Sequence, residues 1–388
     1  RKVFVECPPP AATAQPNKKN RMAVEIENPV INSPFTEPQR HFRFGEAGIT
    51  NEIVVGRRRS TYFVPIAQPR VRGQQQPALD FGLQHRAQEN KLINELRERV
   101  GFWRQQQYPH ITPTTRRLLE YWTRSDRDRR LFFCQLEAVE TIVYLTEVAP
   151  SHDSNHGSYL LKQINQANQQ ATPTGHIQLN RYAAKMATGS GKTVVMAMLI
   201  AWQALNKLNQ TNNKLFSDAF LLVAPGITIR DRLRVLLPTD PNNYYKQLDL
   251  LPTSLLEQLG QAKIALINYH SFIRRERNSA ASLTKKLLTP TGTASPFLET
   301  PGQMIKRVCA DLGNKKNIVV LNDEAHHCYY PKPIVEQDKL SGDELKEAQQ
   351  REQEAKIWVG GLAAVQTKLG IRAIYDLSAT PFFLRGSG

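Results

Sequence analysis

Two short stretches carry the side chains that could do chemistry: Met186-Ala-Thr-Gly-Ser-Gly-Lys192-Thr193 and, well downstream, Asp323-Glu-Ala-His326. In the first, glycines allow backbone N–H groups to turn inward in conformations where a Cβ would clash, so that Thr188, Gly189, Ser190 and Gly191 can wrap phosphate oxygens. Lys192 would set a point charge against the β- and γ-phosphates of a nucleoside triphosphate, and the Thr193 hydroxyl would ligate Mg2+. A helix opening at Thr193 would aim its positive end at the same phosphates. Met186 stands where the strict phosphate-loop expression has its first glycine; the strand–loop–helix context is kept, with an apolar run on either side.

The second stretch follows Ile318-Val-Val-Leu321, a run that reads as a buried strand. Asp323 and Glu324 then emerge at its carboxyl end, where open α/β sheets collect ligands. Asp323 suits Mg2+, and Glu324 suits the orientation and deprotonation of an attacking water. Adjacent carboxylates repel one another unless a divalent cation sits between them. His326, His327 and Cys328 raise a zinc reading, but three consecutive ligands point in different directions and cannot close one tetrahedral site unaided. A third stretch, Ser378-Ala379-Thr380 before Pro381, ends another apolar run. Alone it is an ordinary turn. After the other two, its hydroxyls are expected within reach of His326, where they could transmit the state of the γ-phosphate.

The elements that must position these residues follow from periodicity. Short apolar runs at 183–187, 219–224, 264–268, 318–322 and 371–377 alternate with amphipathic segments. Runs of that length joined by helices predict a mainly parallel central sheet in an α/β domain. Ahead of it, Leu92, Leu96, Val100 and Trp103 predict a helix beginning near Gln84; a second is expected from Pro113, capped by Thr112, and a third over Leu131–Thr146. Residues 1 to about 80 are rich in Pro and Gln, with brief β-leaning runs such as Ile53–Val55 and Tyr62–Val64. The expected organisation is a basic, mixed and partly extended region over 1–85, a helical region over 86–150 and the α/β lobe over 151–388. A surface loop near 276–303 and an exposed helical insertion near 335–356 would interrupt that lobe.

At 388 residues the chain can bury a large core, and its net charge is +16. Residues 1–130 carry 23 Lys and Arg against 13 Asp and Glu. Such a surplus suits a polyanion, or simple solubility. The four cysteines show no C-x-x-C spacing and read as free thiols of a reducing compartment. Pro8-Pro9-Pro10 interrupts any signal peptide, and the longest apolar run, Val194–Trp202, is about half of a membrane span. A cytoplasmic protein with no membrane contact is expected. The opening on Arg1 rather than Met suggests a piece of a longer chain.

In their order, MATGSGKT, DEAH and LSATP resemble motifs I, II and III of superfamily 2 helicases and translocases, with wording similar to the helicase subunits of type III and type I restriction enzymes. Leu221–Arg230 looks like motif Ia of the type III group, and Glu27–Phe35 with His41–Phe44 is similar to bacterial type III-like restriction proteins. The resemblance implies a RecA-like P-loop NTPase lobe that uses ATP and Mg2+. It gives Lys192, Asp323, Glu324 and His326 to catalysis, Thr193 and Asp323 to the metal, and Ser378, Ala379 and Thr380 to coupling. Gln135 matches the adenine-reading glutamine, with Phe132 or Phe133 near the base; an amphipathic helix bearing one polar residue is the plainer alternative. Thr228, Arg230, Asn268, His270 and Ser271 match positions that touch the phosphates of a nucleic-acid strand, although each alone also fits a solvated surface.

The resemblance covers 131–385, the first motor lobe. A second RecA-like lobe carrying the completing arginine, and a nuclease domain, would lie beyond Gly388. The expected partners are double-stranded DNA and a methyltransferase subunit, in a type III-like restriction system that defends against phage. Two alternatives remain open: an ATPase that remodels RNA or nucleoprotein without cutting, and a nucleotide-gated interaction module that does not translocate.

Overall fold

The computed structural model describes residues 28–45, 48–65, 85–150, 157–171, 179–276, 298–329 and 343–379. The chain divides into two units, Arg1–Ser60 and Thr61–Gly388. In the first, β1 (Arg40–Gly45) and β2 (Gly48–Val55) form an antiparallel ribbon that contains the expected run Ile53–Val55. Asn32 fixes its start: Oδ1 accepts from the backbone N–H of Gln39 (2.9 Å) and Arg40 (3.0 Å), and Nδ2 donates to the Arg40 carbonyl (2.8 Å). Phe44, Ile53 and Val55 remain exposed, and the Arg58 guanidinium lies 3.8 Å over the Phe44 ring.

The second unit opens on another antiparallel pair, β3 (Thr61–Pro65) with β4 (His85–Glu89). The helix expected from Gln84 therefore starts later, as α1 (Lys91–Gln105), because the backbone of 85–89 is committed to the ladder with β3. Next, α2 (Pro113–Thr123) begins as the sequence predicts, with the Thr112 hydroxyl accepting the Thr115 N–H at 3.1 Å. The third helix starts two residues after Leu131, and its helical run continues past Thr146. It forms α3 (Phe133–Val143), opened by the Gln135 side chain accepting the Phe132 N–H (2.9 Å), and widens after Val143 into a π-turn over Tyr144–Val148. A further helix, α4, spans Gly157–Ala171.

The central sheet comprises β5 (Arg181–Lys185), β6 (Ala219–Ala224), β7 (Lys263–Asn268), β8 (Ile318–Asp323) and β9 (Ile371–Ser378), all parallel in the order β5-β9-β8-β6-β7. Parallel neighbours require crossovers. These are α5 (Lys192–Asn209); α6 (Ile227–Arg232), α7 (Tyr244–Gln247) and α8 (Thr253–Leu259); α9 (Pro301–Val308); and α10 (Asp343–Leu369). The alternation of strand side chains sorts the apolar residues into two cores. Phe220, Leu222, Val319, Leu321, Tyr375 and Leu377 pack with α1, α2, α3, α5 and α8. Leu221, Val223, Ile318, Val320 and Ile374 pack with α9 and α10 on the other face. This is the α/β, RecA-like lobe that the motif order implies.

Of the two expected interruptions, residues 277–297 and 330–342 lie outside the described residues. From Asp343 the second is helical, and α10 continues beyond 356 to Leu369, burying Ala355, Trp358, Leu362 and Val365. Among the described residues no helix is long and apolar enough to cross a membrane.

A buried polar cluster joins the helices before the sheet to α5. Glu147, inside the π-turn, accepts from the Thr112 N–H (2.8 Å), the Thr115 hydroxyl (2.7 Å) and the Trp202 indole (2.8 Å). Burial raises the Glu147 pKa against the lowering effect of these donors. A folded pKa above the unfolded one means that this group's stabilisation is complete below the ordinary carboxylate value, near 4.3, and is lost as pH rises through the folded pKa. Glu147→Gln should lack that pH dependence. It should also cost about 1–3 kcal/mol, since its NH2 group must face one of the donors now satisfied by a carboxylate oxygen. Urea midpoints of both proteins, followed from the ordinary carboxylate value upward in pH, read both effects; superimposable curves would refute the assignment.

Candidate active site

Three loops leave the same rim of the sheet because their strands are parallel and in register. Lys185 of β5 pairs with Ser378 of β9, and Asp323 of β8 pairs with Leu377. The phosphate-loop stretch extends this pairing, as the Met186 N–H donates to the Ser378 carbonyl (2.9 Å). The Met186 side chain is buried in the first core, which explains why a large apolar residue can replace the first glycine of the pattern: it packs beneath the loop. Thr188 and Gly189 form the turn, closed by the Ser190 N–H and hydroxyl on the Ala187 carbonyl (3.2 and 2.6 Å). Gly189 and Gly191 have φ of +78° and +83°, a region that L side chains avoid. From Gly191 the chain enters α5, with Lys192 and Thr193 in its first turn.

Gln135 reaches this loop from α3. While its Oε1 holds the Phe132 N–H, its Nε2 donates to the Ser190 carbonyl at 2.9 Å. It is buried and bonded to the loop rather than solvated on a helix face. The fit is close: a Cβ on Gly191 would lie 2.1 Å from Gln135 Nε2. Phe133, next to it, carries the Arg104 guanidinium at 5.0 Å from its ring.

Asp323 ends β8 almost wholly buried, with Oδ1 accepting the Glu324 N–H (3.0 Å). Burial, and then the Glu324 carboxylate, raise its pKa. Glu324 has left-handed dihedrals (φ +47°, ψ +46°), at a cost of roughly 1–2 kcal/mol for a residue with a Cβ. That turn brings its Oε1 to 3.3 Å from Lys192 Nζ. His326 follows, with Nδ1 2.8 Å from the Ser378 hydroxyl and 3.6 Å from Glu324 Oε2. Burial, and then His327, lower its pKa, so the neutral imidazole is favoured at pH 7. Ala379 is half-buried beyond Ser378, and Thr380 lies outside the described residues. Of the residues in the zinc reading, His327 turns to Glu354 (3.5 Å), while Cys328 is buried with its thiol pushed up to about 12 by burial. Among the described residues no three His, Cys, Asp or Glu side chains gather as metal ligands do.

The five positions matched to nucleic-acid contact occupy the other half of the rim. Ala224 and Asn268 pair at the ends of β6 and β7. Thr228 and Arg230 lie in α6, Thr228 exposed and Arg230 bonded to Asp231 (2.6 Å). Asn268 Oδ1 accepts the Ser271 N–H and hydroxyl (both 3.2 Å), capping a 3-10 turn over Tyr269–Phe272 on which His270 is exposed.

Sequence reasoning missed a buried polar hub next to the acids. The Arg181 guanidinium donates to Asp376 Oδ2 (2.7 Å) and the Cys328 carbonyl (3.1 Å). Tyr329 donates to Asp376 Oδ2 (2.7 Å), and Asn322 Nδ2 to Asp376 Oδ1 (2.7 Å). One signal was available: an Asp and an Asn inside apolar strand runs, which folding tolerates only with partners.

The contact between the phosphate loop and α3 yields a test. Gly191→Ala should destabilise the protein through both its dihedral and its clash with Gln135. In a Gln135→Ala background only the first cost remains. A double-mutant cycle by urea unfolding should show a coupling of about 0.5–3 kcal/mol; equal costs in the two backgrounds would mean that loop and helix do not press on each other.

No curated protein and no solved structure matches the chain. The family described as "Type III restriction enzyme, res subunit" matches residues 130–382, a span that begins just before α3 and runs past β9. This family is one of helicase and ATPase type in the context of restriction enzymes. The span takes in the phosphate loop, the acid pair and Ser378 together, and the chain belongs to the type III restriction enzyme res subunit family.

Proposed function

We propose that this chain carries the ATP-hydrolysing lobe of a motor that moves on duplex DNA within a type III-like restriction system. The observation that supports it most directly is the meeting of Lys192 and Glu324 at 3.3 Å on the rim that also holds the His326–Ser378 contact. In this reading Lys192 exchanges its carboxylate partner for the β- and γ-phosphates of ATP. Glu324, released from that pair, orients the attacking water and accepts its proton. Gln135 reads the adenine from the edge of the phosphate loop, and His326 passes the state of the site through Ser378 to β9.

The residues present fit Mg2+. A hydroxyl in the first turn of α5 and a buried acid beside a second acid are a hard oxygen donor set. Thr193 and Asp323 would hold the ion, which when bound would neutralise charge on the phosphate oxygens. Residues 1–130, with their excess of Lys and Arg, and the rim positions Thr228, Arg230, Asn268, His270 and Ser271 would engage the DNA backbone. A second RecA-like lobe, a nuclease domain and a methyltransferase subunit would complete the assembly.

Fluorescent ATP binding in the presence of Mg2+ tests the core of this reading. Lys192→Ala should weaken binding about tenfold to a hundredfold, the worth of a charge-assisted bond. Glu324→Gln should retain binding but abolish hydrolysis. Hydrolysis by the chain alone should be slow, since an arginine supplied from elsewhere contributes about 10³–10⁵ in rate to comparable enzymes. Strong DNA-stimulated turnover by the unaided chain, or wild-type binding by Lys192→Ala, would defeat the proposal.

The DNA component has its own test. Affinity for duplex should fall steeply with salt and vary little with sequence, because phosphate contacts release counterions and read no bases. Salt-insensitive binding, or a strong preference for RNA, would favour a different polymer or partner.

A further inference from the structure

Glu354 and Trp358 of α10 are four residues apart, hence on one face of the helix, and each bridges the two halves of the rim. Trp358 is fully buried. Its indole N–H donates to Asn322 Oδ1 (3.2 Å), directly before Asp323, and its ring stacks on Tyr269 with centroids 5.3 Å apart and planes within 2°. The Tyr269 ring in turn lies 4.0 Å from that of His270. Glu354 lies 3.5 Å from His327 Nδ1, and burial, followed by this same carboxylate, pushes the Tyr269 phenol up to about 12. One residue thus joins Asn322 to Tyr269, and the other joins His327 to Tyr269. Further along the helix, a Cβ on Gly361 would lie 2.2 Å from Cγ of Phe272, so the helix backbone presses on the last residue of the 3-10 turn.

Asn322 is not a passive end point. Its Nδ2 holds Asp376 at 2.7 Å, two residues before the Ser378 that meets His326. A displacement of the Tyr269–Phe272 turn therefore reaches both the acid pair and the Ser378 contact through close-packed groups, which transmit strain rather than absorb it.

We propose that Glu354 and Trp358 are positioning residues that couple the Tyr269–Phe272 turn to Asp323 and Glu324, so that duplex DNA held at the turn and Mg2+-nucleotide held at the acids change each other's affinity. The inference rests on the function proposed above. Coupling of this kind is reciprocal, so it can be read from either ligand without any hydrolysis.

The test titrates the full 388-residue chain with a short fluorescent duplex, in the presence and absence of Mg2+ and a non-hydrolysable ATP analogue. The readout is the ratio of the two affinities. For the wild type it should lie in the range of roughly 5–150-fold typical of such coupling. Trp358→Phe keeps an aromatic ring against Tyr269 and loses the N–H to Asn322. Its ratio should fall toward one, while each ligand's separate affinity stays near wild type. Should that variant fold poorly, Glu354→Gln at a partly exposed position removes the charge shared by Tyr269 and His327, and should lower the ratio likewise. A role confined to packing would move stability and leave the ratio untouched. Folded variants that keep the wild-type ratio, or a wild-type ratio of one, overturn the coupling. A wild-type chain that binds neither ligand overturns the functional reading itself, and the proposal with it.

Discussion

Asn322 and Asp376 occupy neighbouring strands in the largely apolar interior of the sheet, and neither side chain is exposed. Burying a carboxylate costs far more than one hydrogen bond returns, so Asp376 is tolerable only inside a complete set of partners. Arg181, Tyr329 and Asn322 supply that set. Together they lock β5, β9 and β8 laterally, so the phosphate loop after β5, the acids after β8 and Ser378 at the end of β9 leave the sheet at fixed mutual positions. Apolar packing alone would allow neighbouring strands some freedom to slide. A directional cluster does not.

The helices ahead of the sheet serve the same end from the opposite face. Glu147 gathers donors from α2 and α5, and Gln135 reaches from α3 to the carbonyl of Ser190. The loop is thereby held between its own strand and a helix that precedes it by some fifty residues in sequence. The left-handed Glu324 is a local cost carried by this frame, and it turns the carboxylate toward Lys192 instead of along the strand. Strain at such a position persists only where the surroundings over-determine it.

Much of this was legible in the sequence. The strand runs, their parallel arrangement and the helix beginning at Pro113 follow from apolar spacing and from Thr112 as a cap. The family was legible from three motifs in order. What escaped was whatever depends on partners distant in sequence. His85–Glu89 shows no alternation that marks a strand, and its pairing with β3 is fixed by the register of another segment. Arg181 and Asp376 are 195 positions apart, and an acid inside an apolar run announces only that some partner exists. The charged first part of α10 suggests an exposed insertion, whereas its continuation carries Trp358 into the second core, because helical periodicity at the boundary is diluted by the charges before it.

Among the described strands, β5 bonds to β9 alone and leaves its other side without a neighbour. A strand held on one flank can part from a sheet by breaking one ladder, while an interior strand must break two. The Lys192 stretch thus follows one of the two edge strands of the sheet, and Asp323 and Glu324 follow an interior one. The Arg181–Asp376 bond and the burial of Met186 in the first core therefore carry, for β5, part of what a second ladder supplies to an interior strand.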